Sequence, residues 1–343
     1  MGFQLALLYV YGRGENPPHQ PPKRLELMCL YPKLIKNKKY TVTKKNNGNV
    51  PELTDPRIAY IPVPCGRCME CMRKKKREWQ VRLLEEIKVN TEATFVTLTF
   101  SEESLEKLGK EIQTENEYIK NNEIATLAVR RFLERHRKKY KKSVKHWLIT
   151  ELGQTKTERI HLHGILFKKI NKEELDKMWQ YGMTWIGTYV NERTVNYIVK
   201  YVNKQDQIHK SYTPKILCSA GIGSNYLKTY NATINKFDGE NTKEYYITRQ
   251  GYKLNLPSYY RRKIYSDEER EKLWIKRLDE GIRWIMGEKL DAYNEEEIQK
   301  TLEYYRRINK ELGYNDDSKN WDEQEYKRRI NMLKYLKKIN NKK

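Results

Sequence analysis

Residues 147–167 constrain the fold more than any other part of the chain. Trp147-Leu148-Ile149-Thr150 and Ile160-Leu162-Ile165-Leu166-Phe167 read as two strands joined across the polar turn Gly153-Gln154-Thr155-Lys156, a β-hairpin. His161 and His163 flank Leu162 in the second strand. Side chains alternate faces along a strand, so both imidazoles emerge on one face, close enough to share a cation. A chance surface pair is the bland alternative, and with only six His in 343 residues it is weak. A third ligand should come from the partner strand. Glu151 ends that strand, and a carboxylate suits Mg²⁺ or Mn²⁺; Glu158, in the turn, is the rival.

The remaining periodicity predicts an α+β fold, an antiparallel sheet with flanking helices. Trp79, Leu83 and Ile87 stripe an amphipathic helix over 73–88, and Thr94 to Phe100 reads as a buried strand. Ser101 caps a short helix, and a longer one over 123–140 carries a basic side. A helix from Asn171 to about Tyr181, a short strand over 185–190 and a helix capped by Thr194 follow. Residues 33–56 read as a loop or poorly ordered arm, and the chain beyond Ser266 as charged helix through Trp274, Leu278, Ile282 and Ile285 and on to Ile308. The division expected is an unstructured appendage over 1–27, with Met28 as an internal start, a Cys-bearing arm and basic helix over 28–93, a catalytic domain over 94–265 and a helical region over 266–343.

Sixty-eight Lys and Arg against 45 Asp and Glu leave a net charge of +23, which a polyanion would neutralise, and 26 Tyr and 7 Trp offer stacking faces. Nucleic acid is the expected partner. Candidate contacts are Arg73, Lys74 and Lys75 on the first helix, Arg130 and Arg131 on the long one, and Tyr259, Tyr260 and Arg261, where aromatics and cations interleave. No window approaches the roughly 18 apolar residues of a membrane span. The apolar N-terminus lacks a basic region and a cleavage site, so it does not read as a secretory signal. Gly221-Ile222-Gly223 reads better as an ordinary turn than as a phosphate loop.

Cys65, Cys68 and Cys71 form C-x-x-C-x-x-C, a set of soft ligands for Zn²⁺ that wants a fourth: Cys29, Cys218, a histidine or water. An iron–sulfur cluster fits the same spacing, and reduced buried thiols are the bland reading. Clustered cysteines fit a reducing cytoplasm better than a secreted disulfide framework. Tyr197 and Tyr201 lie four apart, as do Lys200 and Lys204, so each pair shares a helix face. Core packing would explain most such pairs; the upstream histidines shift the balance toward phenol nucleophiles aided by a cation at a phosphate, with a lysine stabilising the attacking or leaving oxygen.

The order of these motifs is informative. The strand Phe95 to Phe100, then His161-Leu162-His163, then Tyr197 to Lys204 resembles motifs one to three of the rolling-circle replication initiators of the HUH endonuclease superfamily, and the two-tyrosine motif resembles the branch found in Microviridae phages. Met28 to Pro32, Pro64 to Cys68 with Trp79 behind it, Ser219 to Gly223, and Leu256 to Tyr260 are similar to the gokushovirus-like replication initiator proteins. The resemblance spans roughly residues 28–265. It implies an RRM-like or ferredoxin-like core, with His161 and His163 as metal ligands and Tyr197 and Tyr201 as nucleophiles. The activity implied is a nick in single-stranded phage DNA at the replication origin, giving a 5′-phosphotyrosine and a free 3′-hydroxyl in the host bacterial cytoplasm, with host helicase and polymerase as partners and no membrane. Competing readings are a zinc-stabilised DNA-binding regulator without catalysis and a relaxase or transposase of the same superfamily.

Overall fold

A computed structural model describes residues 29–341 apart from 155, 156, 188, 207, 211, 317, 319 and 320. The expected appendage over 1–27 and the Met28 start lie outside the described residues. The chain opens with β1 (Lys33–Lys36), which pairs antiparallel with β2 (Tyr60–Val63), Lys33 opposite Val63. Between them the polar residues are cappers of short 3₁₀ turns: Asn37 accepts from Lys39 N–H, Thr43 and Asn46 form a reciprocal capping box, and Asp55 accepts from Arg57 N–H. The expectation of a loose arm over 33–56 is therefore corrected. Its Asn, Thr and Asp hold local turns, and Asn37 is buried with its amide donating to Ile58 O.

α1 (Met69–Val89) leads to β3 (Thr94–Leu98), α2 (Glu102–Gly109) and α3 (Glu117–Tyr140); then come the hairpin β4 (His146–Leu152) and β5 (Ile160–Leu166), α4 (Lys172–Trp179) and β6 (Thr184–Ile186). Ser101 and Asn171 cap α2 and α4 as the sequence implies, while α3 starts earlier than expected because Asn116 caps it. α5 (Glu192–Ile198) is capped by Asn191, with the Thr194 hydroxyl reaching back to the Asn191 N–H; α6 (Lys200–Asn203) continues it after a break at Val199, and β7 (Ile216–Cys218) follows.

Strands β6-β3-β5-β4-β7 form one sheet in that order, antiparallel throughout. Counted from β3, the β-α-β-β-α-β succession with order β6-β3-β5-β4 is the ferredoxin-like arrangement, extended by β7. Alternation divides the sheet cleanly. Val96, Leu98, Leu148, Leu152, Ile160, Leu162 and Leu166 turn to one side, where α2, α3 and α4 cover them with Leu108, Ile124, Ala128, Phe132, Leu175 and Trp179. Phe95, Trp147, Ile149, Ile165 and Phe167 turn to the other, where α1, α5 and α6 supply Leu83, Val195, Ile198, Val199 and Val202.

A satellite layer follows: α7 (Tyr230–Thr233), the hairpin β8 (Tyr245–Ile247) and β9 (Lys253–Asn255), and α8 (Ser258–Ile264). It packs Tyr226, Tyr246 and Tyr260 against Val81 of α1. The chain ends with α9 (Asp267–Asp279), β10 (Ile282–Ile285), β11 (Glu288–Asp291), α10 (Glu295–Glu311) and α11 (Glu323–Asn340). Ile282 and Ile285 were expected in a helix and instead lie in the β10–β11 hairpin, because Gly281 stops the helical run and Met286-Gly287, both at positive φ (53° and 99°), make a two-residue turn. This region is not a loose tail. Ile285, Leu290, Ile298 and Leu302 share a core with Cys29, Leu30, Tyr31, Cys68 and Met69. The Asn309 carboxamide oxygen accepts the Met69 N–H at 2.8 Å, capping α1 from the other end of the chain.

The Gly221–Gly223 turn is a packing device. The Gly223 N–H donates to the buried Glu86 carboxylate at 2.6 Å, Gly223 sits at φ +74°, and an added Cβ would lie 2.5 Å from Arg82 O. Gly223→Ala is therefore expected to lower unfolding free energy by at least about 2 kcal/mol, read from urea denaturation; an unchanged midpoint would contradict the packing described.

Candidate metal and nucleophile site

Register builds the site. β4 and β5 pair Glu151 with His161 and Ile149 with His163, so the carboxylate and both imidazoles share the face that α5 and α6 cover. His161 Nε2 lies 3.1 Å and His163 Nε2 2.9 Å from the same atom, Oε2 of Glu151. The three side chains are 21%, 12% and 13% exposed, mostly shielded from water. Behind them, Nδ1 of His161 faces the Arg159 carbonyl oxygen at 3.3 Å and Nδ1 of His163 the Thr97 hydroxyl at 3.0 Å. A carbonyl can only accept, so Nδ1 of His161 is the donor in the contact with Arg159. Burial by itself would raise the Glu151 carboxyl, but hydrogen bonds from His161, His163 and Lys204 outweigh it and hold the group below the usual carboxylate range. Glu151, His161 and His163 offer three ligand atoms within 4.8 Å of one another, a group that could hold a metal ion. Glu158 is elsewhere: its carboxylate is 3.9 Å from His209 Nε2 and 70% exposed.

The tyrosines meet this cluster from the helical layer. Tyr201 stacks on His163, centroids 4.6 Å apart and planes 13° from parallel, and its hydroxyl lies 2.6 Å from that of Tyr197. Tyr197 is 46% exposed. Burial, then the hydrogen bond with Tyr197 and the nearby Glu151 charge, push the Tyr201 phenol above its ordinary value. Lys204 Nζ bonds Glu151 Oε1 and sits 5.6 Å from the Tyr201 ring; Lys200 Nζ sits 6.0 Å from the Tyr197 ring.

The expected DNA contacts separate into groups. Arg73 and Lys74 are exposed on α1, and Lys75 is half-buried there with its ammonium pKa lowered by burial. Lys76 was not singled out in the sequence, although it lies in the same basic stripe; α1 packs against α5 and α6, and burial and the charges of Lys200, Arg73 and Arg77 lower the Lys76 pKa. Arg130 and Arg131 do not reach the site. The apolar stripe Ile124, Ala128 and Phe132 commits α3 to the opposite sheet face, and Arg131 pairs with Glu111 at 2.7 Å. Tyr260 is a correction: it is fully buried and donates to Gly223 O at 2.8 Å, so its ring cannot stack on a base. Tyr259 holds the Arg82 guanidinium at 4.2 Å, with Trp79 at 4.2 Å from the same guanidinium, and Arg261 pairs with Glu244 at 2.9 Å. That aromatic and cationic run serves packing.

The fourth cysteine is Cys29. Its sulfur comes within 4.8 Å of those of Cys65, Cys68 and Cys71, a second group that could hold a metal ion, whereas Cys218 is exposed on β7. Backbone N–H groups of Tyr31 and Cys65 point at the Cys29 sulfur at 3.3 and 3.1 Å, and that of Cys68 at the Cys65 sulfur at 3.3 Å. Such donors stabilise thiolates, and four thiolates match a closed Zn²⁺ site. Cys68→Ser is expected to lower the thermal midpoint, and the purified protein to carry about one zinc that the variant loses, measured by elemental analysis and calorimetry. A folded protein with neither zinc nor iron would exclude the site.

Residues 93–206, which run from β3 through both tyrosines, match the family described as Replication-associated protein ORF2/G2P. The replication-associated protein ORF4 of Chlamydia phage 1 is 24% identical over 297 residues, covering 75% of this chain and 70% of that protein. No solved structure matches the chain. The Glu151–His161–His163 cluster and the paired tyrosines fall inside the matched span, and the chain resembles the gokushovirus-like replication initiator proteins.

Proposed function

We propose that this phage replication initiator nicks single-stranded DNA at the origin of rolling-circle replication and later rejoins the displaced strand. The observation that carries the reading is the pair of tyrosine hydroxyls 2.6 Å apart, one ring stacked on an imidazole of the Glu151–His161–His163 group. A divalent cation, Mg²⁺ or Mn²⁺, would be held by His161, His163 and Glu151 and would supply polarisation of the scissile phosphate. One phenol gives up its proton as its oxygen attacks phosphorus, and the bond from phosphorus to the 3′-oxygen breaks. The DNA is left joined to tyrosine through its 5′-phosphate, and the departing oxygen takes up a proton to become a 3′-hydroxyl. Lys200 or Lys204, whose ammoniums lie 6.0 and 5.6 Å from the Tyr197 and Tyr201 rings, would offset charge on the attacking or leaving oxygen. The second tyrosine provides a nucleophile for the releasing cut while the first still carries DNA.

The cations of α1 bind the strand backbone, and zinc at the four cysteines is structural. Host helicase and polymerase would then extend the 3′-hydroxyl in the bacterial cytoplasm. Among the described residues no helix is long and apolar enough to cross a membrane. A DNA-binding regulator without catalysis would use the Cys group and the basic helix alone, and it gives no account of two phenols at a carboxylate–imidazole cluster.

His161→Ala and His163→Ala are each expected to cut nicking of an origin oligonucleotide by at least about a hundredfold while leaving its binding largely intact. Cleavage at the normal rate in either variant would remove the cluster from the mechanism. For the nucleophiles, Tyr197→Phe or Tyr201→Phe alone should leave some first-strand nicking and impair the second transfer, and the double variant should do neither. Mass spectrometry of the trapped adduct should find DNA on one of these two residues; DNA on any other tyrosine would overturn the assignment.

A further inference from the structure

The site face carries a second aromatic group that the cleavage chemistry does not use. β6 is an edge strand, and its register with β3 sets Trp185 opposite Thr97, whose hydroxyl contacts His163. The neighbours of Trp185 turn the other way: Ile186 packs on the core beneath α2, α3 and α4, and the Thr184 hydroxyl donates to Asp176 of α4. Trp185 therefore stands on the same sheet face as His161, His163 and Glu151. It is 55% exposed, Met183 two residues before it 80%, and Tyr189 beyond it 63%.

Its indole meets Phe95 edge-to-face at 5.7 Å, and Phe95 meets Tyr197 edge-to-face at 6.1 Å. An unbroken line of rings thus runs from the sheet edge to the tyrosine pair. Leaving an indole more than half in water costs hydrophobic free energy, and among the described residues nothing covers it. The ligand that suits it is set by the surroundings. The chain carries a net charge of +23, Lys200 lies 6.0 Å from the Tyr197 ring at the far end of the line, and bases stack on exposed rings irrespective of sequence.

We propose that Trp185 stacks on a nucleobase of the single strand close to the scissile phosphate, with Met183 and Tyr189 flanking it, so that the β6 edge holds the strand in line with the tyrosines. The inference rests on reading Tyr197 and Tyr201 as the nucleophiles. Trp185 is a positioning residue: it binds a flanking base and leaves the reacting atoms to other groups.

The test is a set of labelled single-stranded oligonucleotides spanning the nick, each with one base near it replaced by an abasic site. Binding is measured by fluorescence anisotropy in the Tyr197→Phe/Tyr201→Phe background, so that no cleavage intervenes. One abasic position is expected to weaken binding by about five- to 150-fold, the range of a lost base–aromatic stack. Adding Trp185→Ala should weaken binding of the intact oligonucleotide by a similar factor and make that position silent, while Trp185→Phe should restore most of both effects. Normal binding of the intact strand by the alanine variant, or the same abasic profile with and without Trp185, would overturn the proposal. So would a change in oligomeric state on sedimentation with the profile unaltered, which would assign the indole to a protein contact. Absence of nicking by the unmodified protein would instead defeat the cleavage reading, and the binding profile would still report on the base contact.

Discussion

The pairing of β4 with β5 is the constraint on which the site depends. With Glu151 opposite His161, the carboxylate, both imidazoles and the Thr97 hydroxyl that meets His163 all project from one face. Strand alternation has a period of two, so a slip of β5 by one residue would send both imidazoles away from Glu151 into the layer filled by Leu148, Leu152 and Phe132, and Ile160 and Leu162 to the helices bearing the tyrosines. The cost of burying both imidazoles unpaired, added to the apolar burial lost, makes the register strongly specified. Gly164 helps to fix it, since a Cβ there would come 2.1 Å from Trp147 O on the partner strand.

Upon that sheet, α1 acts as the frame. Its start is gripped by the four-cysteine group and by Asn309, its middle packs beside α5 and α6 with Gln80 bonding Asn196, and its end buries two acids. Glu86 gathers Lys145, Asn90 and the Gly223 N–H; Glu85 gathers Lys88 and Tyr246. Each carboxylate draws on at least one partner outside α1, so removing Lys145 or Tyr246 would leave a buried acid short of a hydrogen-bond partner. The helix bearing the tyrosines is held from the opposite side as well, through the Tyr314 hydroxyl, which donates to Asn203 O at 3.1 Å.

Much of this was legible in the sequence, and the reasons differ by element. Alternation in 160–167 shows which residues share a face, so Glu151, His161 and His163 could be grouped before any fold was known, and the four-residue spacing did the same for Tyr197 and Tyr201. Cys29 could not be separated from Cys218, because the contact is made across 36 residues of chain that the three-cysteine spacing says nothing about. The β10–β11 hairpin was hidden by apolar residues that continue the helical spacing of α9, with Gly281 and Met286-Gly287 as the signals against it. Tyr260 was misread because an aromatic among cations looks alike whether its ring faces water or core. That Arg130 and Arg131 lie away from the site could not be read either: charge marks the outer side of α3 without saying which sheet face the helix covers.

The cap on α1 has a consequence for how the molecule is made. Met69 waits for Asn309, 240 residues further along, and Leu34 for Arg329, 295 residues further along. The central sheet, by contrast, closes within β3 to β7, residues 94–218. Loop closure over hundreds of residues is slow relative to hairpin formation. During synthesis the sheet with its carboxylate and imidazoles can therefore form long before the frame that steadies the tyrosine helix is locked. Ribosome-bound chains would carry the chemical groups of the site without its rigidity until α10 and α11 emerge and dock.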